Sequence, residues 1–326
     1  MANAYTAALS GGVPQYYDKL FLERLVPAVQ MMDYCIQKPL PANSGTVAYF
    51  PRMTASSTTV SAYKIQFSSG YGPISTEAVV AAQISATVEQ FGNAKAITDV
   101  TKLTAINSTV EEAVREIGDQ AGVLLDKRIL QEAYGTSAAP TGAGFSAFAF
   151  NTVGKADLGA STSAYGTYAG TVEYGMTAAT LRAGVKKLMA NNVKPFDDGL
   201  FAFVMHTNSA FAIQADTQWQ TAYQYTDPEN MRKGITGSYA GAKVVIDNNV
   251  FTSANGSSGA TLYYSVLLGR SALGVTELDG GVKFYTTSSG ADKFDPIDQF
   301  ITIGWKANMV PVRLNLSSGI VVVTAD

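Results

Sequence analysis

The residues that could carry out chemistry are few, and the first is His206, the only histidine in the 326 residues. A Ser-His-Asp triad, a Cys-His dyad or a two-histidine metal site would have to be built around this one imidazole. His206 follows the apolar run LFAFVMH, which predicts a buried strand, and precedes a short helix that Thr207 or Asn208 is expected to cap. We therefore favour a structural imidazole. The alternative is a hydrolase that pairs His206 with Asp197 or Asp198.

Five aspartates stand in possible turns, and their neighbours favour turn formation over catalysis. Asp197 and Asp198 precede a glycine, while Asp292, Asp295 and Asp298 lie close together around a proline. The last three could collect a hard cation, but the glycine and the glutamate of an EF-hand loop are missing. The sequence also has no GxSxG elbow, and TGAGFSAF lacks the lysine of a phosphate-binding loop. We predict no catalytic residue, no cofactor and no metal site.

Composition limits the partners. Cys35 is the single cysteine, which excludes an intrachain disulfide and favours a small buried side chain. The 23 Lys and Arg residues against 26 Asp and Glu residues give a net charge of -3, which argues against sequence-specific nucleic-acid binding. The N-terminus lacks the pattern of a signal peptide, and the apolar runs are too short to span a membrane. We expect no membrane partner.

The element that must organise the chain is a long helix over residues 108–134. Ser108 and Glu111 have the spacing of a capping box, and apolar residues recur every three or four positions from Val110 to Leu124. At about 1.5 Å per residue the helix spans on the order of 40 Å, so we expect a spine between lobes. Gly118 and Gly122 interrupt it, which indicates either a close backbone neighbour or a bend.

Other segments flank this spine. Residues 1–14 suggest an arm, and a helix kinked at Pro27 is expected to follow. From Thr46 the alternation of side chains predicts a protruding hairpin, and AVVAAQISATVEQFG fits a strand better than a helix. Residues 136–175 are rich in small residues, like an inserted loop.

A second lobe begins at Met176 with an amphipathic helix that presents Leu181, Val185 and Leu188 on one face. Strands and short helices follow. The segment around Trp219, which also contains Tyr223, Tyr225, Met231, Arg232 and Lys233, either packs within the lobe or anchors an interface. The mixture predicts an α+β fold.

The order of these segments resembles the major capsid protein of tailed bacteriophages, with the Hong-Kong-97-type fold, and more narrowly the family typified by the N-four podovirus. The likeness is carried by YYDKLFLERLVP, KPLPANSGTVAYFPRM, ATVEQFGNAKAITD, GDQAGVLLDKRI, FVMHTNSAF with DTQW, and DPIDQFITIGWKAN. These segments extend over nearly the whole chain.

The resemblance implies a domain plan. It consists of an N-terminal arm and helix (1–45), an extended loop (46–92), a peripheral domain with the spine helix (93–135), an insertion (136–175), an axial domain (176–293), return strands of the peripheral domain (294–318) and a final axial strand (319–326).

The resemblance also implies a non-enzymatic shell protein. Hexamers and pentamers of the chain would form an icosahedral head around double-stranded DNA, which it would contact non-specifically. Scaffold, portal and decoration proteins are possible partners. The head would assemble in the host bacterial cytoplasm and become part of the virion, and we expect no identifiable cleaved propeptide. The alternative shell is an encapsulin-like nanocompartment.

Overall fold

A computed structural model describes residues 12–53, 81–105, 108–134, 151–153, 175–226, 237–253, 261–286 and 299–325. The predicted arm, apart from its last residues, lies outside this range. So do the tip of the extended loop, most of the 136–175 insertion and the trio Asp292, Asp295 and Asp298. What is described is a mixed α+β structure, as the sequence predicts.

The helices of the described residues follow the apolar periodicity of the sequence. They are α1 (Gly12–Ala28), α2 (Asp99–Thr104), α3 (Thr109–Tyr134), α4 (Ala178–Ala190), α5 (Thr207–Ala215) and α6 (Thr217–Thr226). Helix α3 has 26 residues, which confirms the predicted spine. Short 3-10 turns cover Met31–Tyr34 and Leu316–Ser318.

The predicted kink at Pro27 is wrong. Helix α1 starts earlier than expected, at Gly12, and ends at Ala28, one residue after the proline. Proline lacks the amide that would continue the hydrogen-bond ladder, and here the helix stops instead of bending. The 3-10 turn Met31–Tyr34 then leads into a strand.

The strands of the described residues are β1 (Cys35–Gln37), β2 (Val47–Met53), β3 (Ala81–Thr87), β4 (Glu89–Thr98), β5 (Asn151–Val153), β6 (Phe201–Met205), β7 (Ser238–Tyr239), β8 (Ala242–Ile246), β9 (Thr252–Ser253), β10 (Leu262–Leu268), β11 (Leu273–Thr286), β12 (Phe300–Arg313) and β13 (Gly319–Ala325). The segment that could be strand or helix thus forms β3 and β4. Its β-branched residues prevail over its alanines, which confirms the strand interpretation.

The first sheet has four strands in the order β1-β11-β12-β4. Strand β12 is antiparallel to both neighbours, and its pairing with β4 runs from Phe300 opposite Thr98 to Met309 opposite Glu89. Strand β1 joins in parallel at the other side. The return strand after residue 294 therefore lies beside the strand that precedes the spine.

The second sheet has seven strands, with β5-β13-β10-β6-β8-β7 in order and β9 added beside β10. All seven side chains of β10 are buried, because both faces of this central strand are covered. Strand β13 pairs along the whole length of β10, from Leu262 opposite Ala325 to Leu268 opposite Gly319. The end of the chain thus completes the second sheet.

The chain changes sheets earlier than the domain plan places the change. Strand β10 belongs to the seven-stranded sheet, while β11 pairs with β12 in the four-stranded sheet. By sheet membership the boundary lies between Leu268 and Leu273, not at residue 293. No local signal marks this change, because β10 and β11 are joined by a short turn and both read as strands in the sequence.

Two main clusters form the core. The larger lies around the spine helix and includes Ile303 and Trp305 of the four-stranded sheet together with Val204 and Val266 of the seven-stranded sheet. The second covers the opposite face of the seven-stranded sheet, where α4, α5 and α6 pack. The spine therefore packs against both sheets, as the term implies.

The hairpin base has a core of its own. Strands β2 and β3 pair in register from Val47 opposite Thr87 to Met53 opposite Ala81. Ala48, Phe50 and Ala86 pack against Val310 and Val312 of β12. The described base of the predicted extended loop is therefore fixed to the four-stranded sheet.

Candidate functional site

The spine helix positions both sheets, because residues of each sheet pack against it. The first three turns of this helix bury the predicted apolar face. At the centre of the helix the prediction is off by one residue, because Leu125 is buried while Leu124 is only partly covered. Burial continues to Tyr134, whose hydroxyl donates to Tyr264 O at 2.8 Å. One face is thus enclosed along the full length of the helix.

Helix α1 crosses the spine at Gly118. A Cβ atom at this position would lie 2.9 Å from Phe21 O, closer than real Cβ contacts come, and 3.1 Å from Arg24 Cβ, which is also tight. About two turns before Gly118 on the spine, Glu111 accepts a hydrogen bond from the Tyr16 hydroxyl of α1 at 3.4 Å. Of the two explanations for this glycine, the close backbone neighbour is therefore correct. The neighbour is α1.

Strand β4 runs alongside the spine in the opposite direction. Three side-chain contacts join them: Lys95 with Glu116 at 2.5 Å, Asn93 with Gln120 at 2.7 Å, and Arg128 with Glu89 at 3.1 Å. From residue 89 to 95 a strand advances about 20 Å. From residue 128 to 116 a helix advances about 18 Å. The matching lengths keep strand and helix in register over three contacts.

A partly buried ion network fixes the end of the same helix. Glu132 accepts from Arg128 at 3.4 Å and, with its other oxygen, from Arg313 Nε at 3.2 Å. The side chains of Arg128, Glu132 and Arg313 are 14%, 22% and 15% exposed. Because Arg313 lies on β12, the network ties the four-stranded sheet to the spine.

A buried carboxylate, Asp126, lies on the enclosed face of the spine. Its oxygens accept from Met31 N–H at 2.9 Å and from Asn249 Nδ2 at 3.1 Å. The Asp247 carboxyl is a further neighbour of Asp126, and Asp247 is only 4% exposed. Burial, followed by the effect of Asp247, raises the pKa of Asp126 to about 8. Sequence analysis missed this residue, although its helical spacing from Gly122 and Leu130 places a charge on the apolar face.

Two surfaces stand out on the outside. The outer face of the four-stranded sheet has an open groove of about 500 Å³, lined by Gln90, Phe91, Gly92, Asn93, Ala94, Tyr285, Thr302, Gly304, Trp305 and Lys306. Beyond β4, the short helix α2 exposes 61% of Val100 and 82% of Leu103. Large apolar side chains exposed to this extent are candidates for contacts with another protein.

Solved capsid structures of phages match this chain over nearly its whole length. The capsid asymmetric unit of cyanophage Pam1 aligns with a TM-score of 0.66 and 16% identity, covering 93% of this chain and 92% of that chain. The capsid of Ralstonia phage GP4 has a TM-score of 0.60 and 13% identity, covering 91% and 89%. The acid-stable capsid of Helicobacter pylori bacteriophage KHP30 has a TM-score of 0.59 and 11% identity, covering 89% and 88%.

The chain has the Hong-Kong-97-type fold of tailed-phage capsid proteins. The fold expected from the sequence is thereby confirmed. No protein-family model and no curated protein matches the sequence. The narrower likeness to the N-four podovirus family stays a prediction.

In this capsid fold His206 has a structural position. It is the N-cap of α5, where its Nδ1 accepts from Asn208 N–H at 3.1 Å, and its ring lies 4.7 Å from that of Tyr263. The expectation that Thr207 or Asn208 caps this helix is wrong, because the imidazole one residue earlier supplies the acceptor. With Nδ1 accepting, the neutral ring carries its proton on Nε2.

The two aspartates of the alternative hydrolase are used elsewhere. Asp197 forms an ion pair with Arg270 at 2.6 Å, and Asp198 accepts from Leu200 N–H at 3.0 Å within its own turn. Gly199, between them and the strand, has a φ of +77°. The turn interpretation is confirmed, and the structure does not assemble these carboxylates with His206.

Two remaining candidates are resolved as packing residues. Trp219 is 4% exposed and its ring centre lies 5.2 Å from that of Tyr239, which supports packing within the lobe over an interface role. The Cys35 thiol is half-buried and donates to Met31 O at 3.3 Å, while burial holds its pKa above the usual range. The side chains of Tyr223 and Tyr225, and residues 231–233, lie outside the described residues.

Among the described residues, no helix is both long and apolar enough to cross a membrane. Nor do three or more His, Cys, Asp or Glu side chains come together there in a metal-binding arrangement.

Proposed function

We propose that the chain is the major capsid protein of a tailed bacteriophage, which self-assembles as hexamers and pentamers into an icosahedral head around double-stranded DNA. The observation that carries the proposal is the alignment of about nine-tenths of this chain with about nine-tenths of entire phage capsid subunits. A match of this extent supports a subunit that serves the shell along its whole aligned length.

The mechanical role follows from how the spine holds the two sheets. A shell subunit must transmit force between contacts at its two ends, and a continuous helix packed against both sheets provides the stiffness. Glu132, Arg128 and Arg313 prevent the four-stranded sheet from sliding along that helix. We assign the peripheral domain to the four-stranded sheet with the spine, and the axial domain to the seven-stranded sheet.

Contacts between copies would use the outer surfaces. The hairpin that starts with β2 and β3 would extend, as residues 46–92, over a neighbouring subunit. Val100 and Leu103 on α2 would be covered by another copy, since apolar side chains are stabilised by removal from water. Such heterologous contacts close into hexamers and pentamers when subunits tilt slightly.

The interior of the head would meet DNA through a nearly neutral protein. A net charge of -3 provides no basic surplus, so counterions rather than side chains would neutralise most phosphates. DNA contact would therefore be non-specific. Portal, scaffold and decoration proteins are further proposed partners, with assembly in the host bacterial cytoplasm.

No catalytic step is assigned to the subunit. The imidazole of His206 acts as a helix cap, and Asp197 and Asp198 stabilise a turn, so the residues of the alternative hydrolase are each accounted for by structure. The proposal is that of a structural protein.

Purified particles test the proposal against its closest rival, the encapsulin-like compartment. Particles that contain this chain should hold double-stranded DNA and one portal vertex when imaged by electron cryomicroscopy. Particles of the same architecture that hold a peptide-tagged enzyme and no portal would instead establish the compartment. A preparation without closed shells of either kind would refute both.

A further inference from the structure

Three segments meet at the carboxyl group of Asp126. The 3-10 turn Met31–Tyr34 provides an amide, the spine provides Asp126, and the loop after β8 provides Asp247 and Asn249. Asp247 is in turn anchored, since its N–H donates to Met205 O at 2.9 Å and its Oδ1 accepts from Asn249 N–H at 2.8 Å. The contact therefore joins the N-terminal segment, the spine and the seven-stranded sheet.

One oxygen at this junction has no donor. Asp247 Oδ2 is buried without a hydrogen-bond partner, although Asn249 joins the two carboxyls by donating its N–H to Asp247 and its Nδ2 to Asp126. Two ionised carboxylates can only accept, so they cannot bond to each other. A proton held by one of them converts it into a donor and satisfies the orphan oxygen. The geometry therefore favours a pair that holds one proton, whereas two aspartates are ordinarily both ionised near neutral pH.

Within the described part of the chain, neither the Asp126 carboxyl nor the Asp247 carboxyl forms an ion pair with a basic side chain. The ionisable groups that face the pair are the Cys35 thiol, with Asp33 behind it, and the Tyr134 phenol. Burial keeps the pKa of both the thiol and the phenol above their usual ranges. The imidazole of His206 follows Met205, but its Nδ1 is occupied as the cap of α5.

We propose that Asp126 and Asp247 share one buried proton and form a pH-sensitive latch between the spine and the seven-stranded sheet. With the proton present, a hydrogen bond between the two carboxyls holds the spine and the seven-stranded sheet together. After its loss, two buried negative charges repel each other across the same contact. The inference concerns the subunit itself and does not rest on the proposed function.

The sign of the pH dependence follows from proton counting. The pKa of Asp126 is raised from the ordinary value of 3.8 to about 8 in the folded chain. Between these values the folded chain binds more protons than the unfolded chain, so stability falls as pH rises and levels off above about pH 8. The unfolding equilibrium constant should increase by up to about tenfold per pH unit in this window.

Unfolding in urea at a fixed concentration of the full-length chain, from pH 5 to pH 9 with a chelator present, tests the latch. The wild-type constant should rise by up to about 1,000-fold between pH 5 and pH 8. Asp126→Asn keeps an acceptor for Met31 N–H and adds a permanent donor, so it should reduce this rise to less than about tenfold. Asp247→Asn should act in the same direction. Asp119→Asn, on the exposed side of the same helix, is the matched control and should leave the rise unchanged.

Infrared spectroscopy of the folded wild-type chain gives a second measurement that requires no variant to fold. A protonated-carboxyl band should persist to about pH 8 and disappear in Asp126→Asn. Its absence from the wild type at pH 6 would overturn the latch. So would an unchanged pH dependence in Asp126→Asn or in Asp247→Asn. If added calcium stabilises the wild type but not Asp126→Asn, a cation and not a proton occupies the pair, and the proposal is wrong.

Discussion

Replacing Gly118 by alanine sets two effects of known sign against each other. In a helix interior alanine is favoured over glycine by about 1 kcal/mol. The new Cβ, however, would lie 2.9 Å from Phe21 O, a backbone atom of α1 that cannot rotate away. Helix α1 would have to move outward by a few tenths of an ångström, and such overpacking costs about 1 to 3 kcal/mol. We expect a net loss of about 1 kcal/mol in the free energy of unfolding.

Urea unfolding of the purified chain measures this balance. Asp119→Ala is the control, because the neighbouring position is exposed and gains helix propensity of about 0.5 kcal/mol without a clash. Gly118→Val adds two methyl groups beyond that Cβ, close to the same carbonyl, and should lose about 3 kcal/mol. If Gly118→Ala were instead stabilised by about 1 kcal/mol, as propensity alone predicts, then α1 would not pack against the spine as described.

Further variants probe the ion network around Glu132, the helix cap at His206 and the exposed apolar side chains of α2. Glu132→Ala should lower the free energy of unfolding by about 1 to 2 kcal/mol, because two partly buried arginines each lose one acceptor. Glu116→Ala, whose carboxylate is 71% exposed, should cost less than about 0.5 kcal/mol. His206→Ala should cost about 1 kcal/mol through the lost cap, should be largely rescued by His206→Asn, and should leave assembly intact. Leu103→Asp should change stability by less than about 0.5 kcal/mol yet reduce the yield of shells in size-exclusion chromatography.

Each of these expectations has an outcome that contradicts it. Equal losses for Glu132→Ala and Glu116→Ala would mean that burial does not strengthen the network. Assembly abolished by His206→Ala at unchanged stability would assign the imidazole a role in contacts between subunits. Normal shells from Leu103→Asp would show that α2 does not meet another copy.

The elements with long apolar periods were predictable from the sequence. The spine, the buried strand before His206 and the helix with Leu181, Val185 and Leu188 were found because each repeats its pattern over several turns or strand positions. The interpretation of Asp197 and Asp198 as turn residues held for a similar reason, since their local neighbours alone determine that role.

What the sequence could not provide were the contacts between distant segments. The reason for Gly118 required knowing that α1, about 95 residues away, crosses there. The pairing of β11 with β12, and not with β10, is decided by sheet packing and has no local signal. Asp126 was visible as a charge on an apolar face, but its neighbour Asp247 is far away in the sequence and comes close only in the folded chain.

The assembly state of the expressed full-length chain tests the central claim most directly. Size-exclusion chromatography with negative-stain microscopy should show uniform polyhedral shells, or hexamers and sheets built from them. A stable monomer at high protein concentration would contradict the account, because a capsid subunit with this fold should associate through its exposed surfaces.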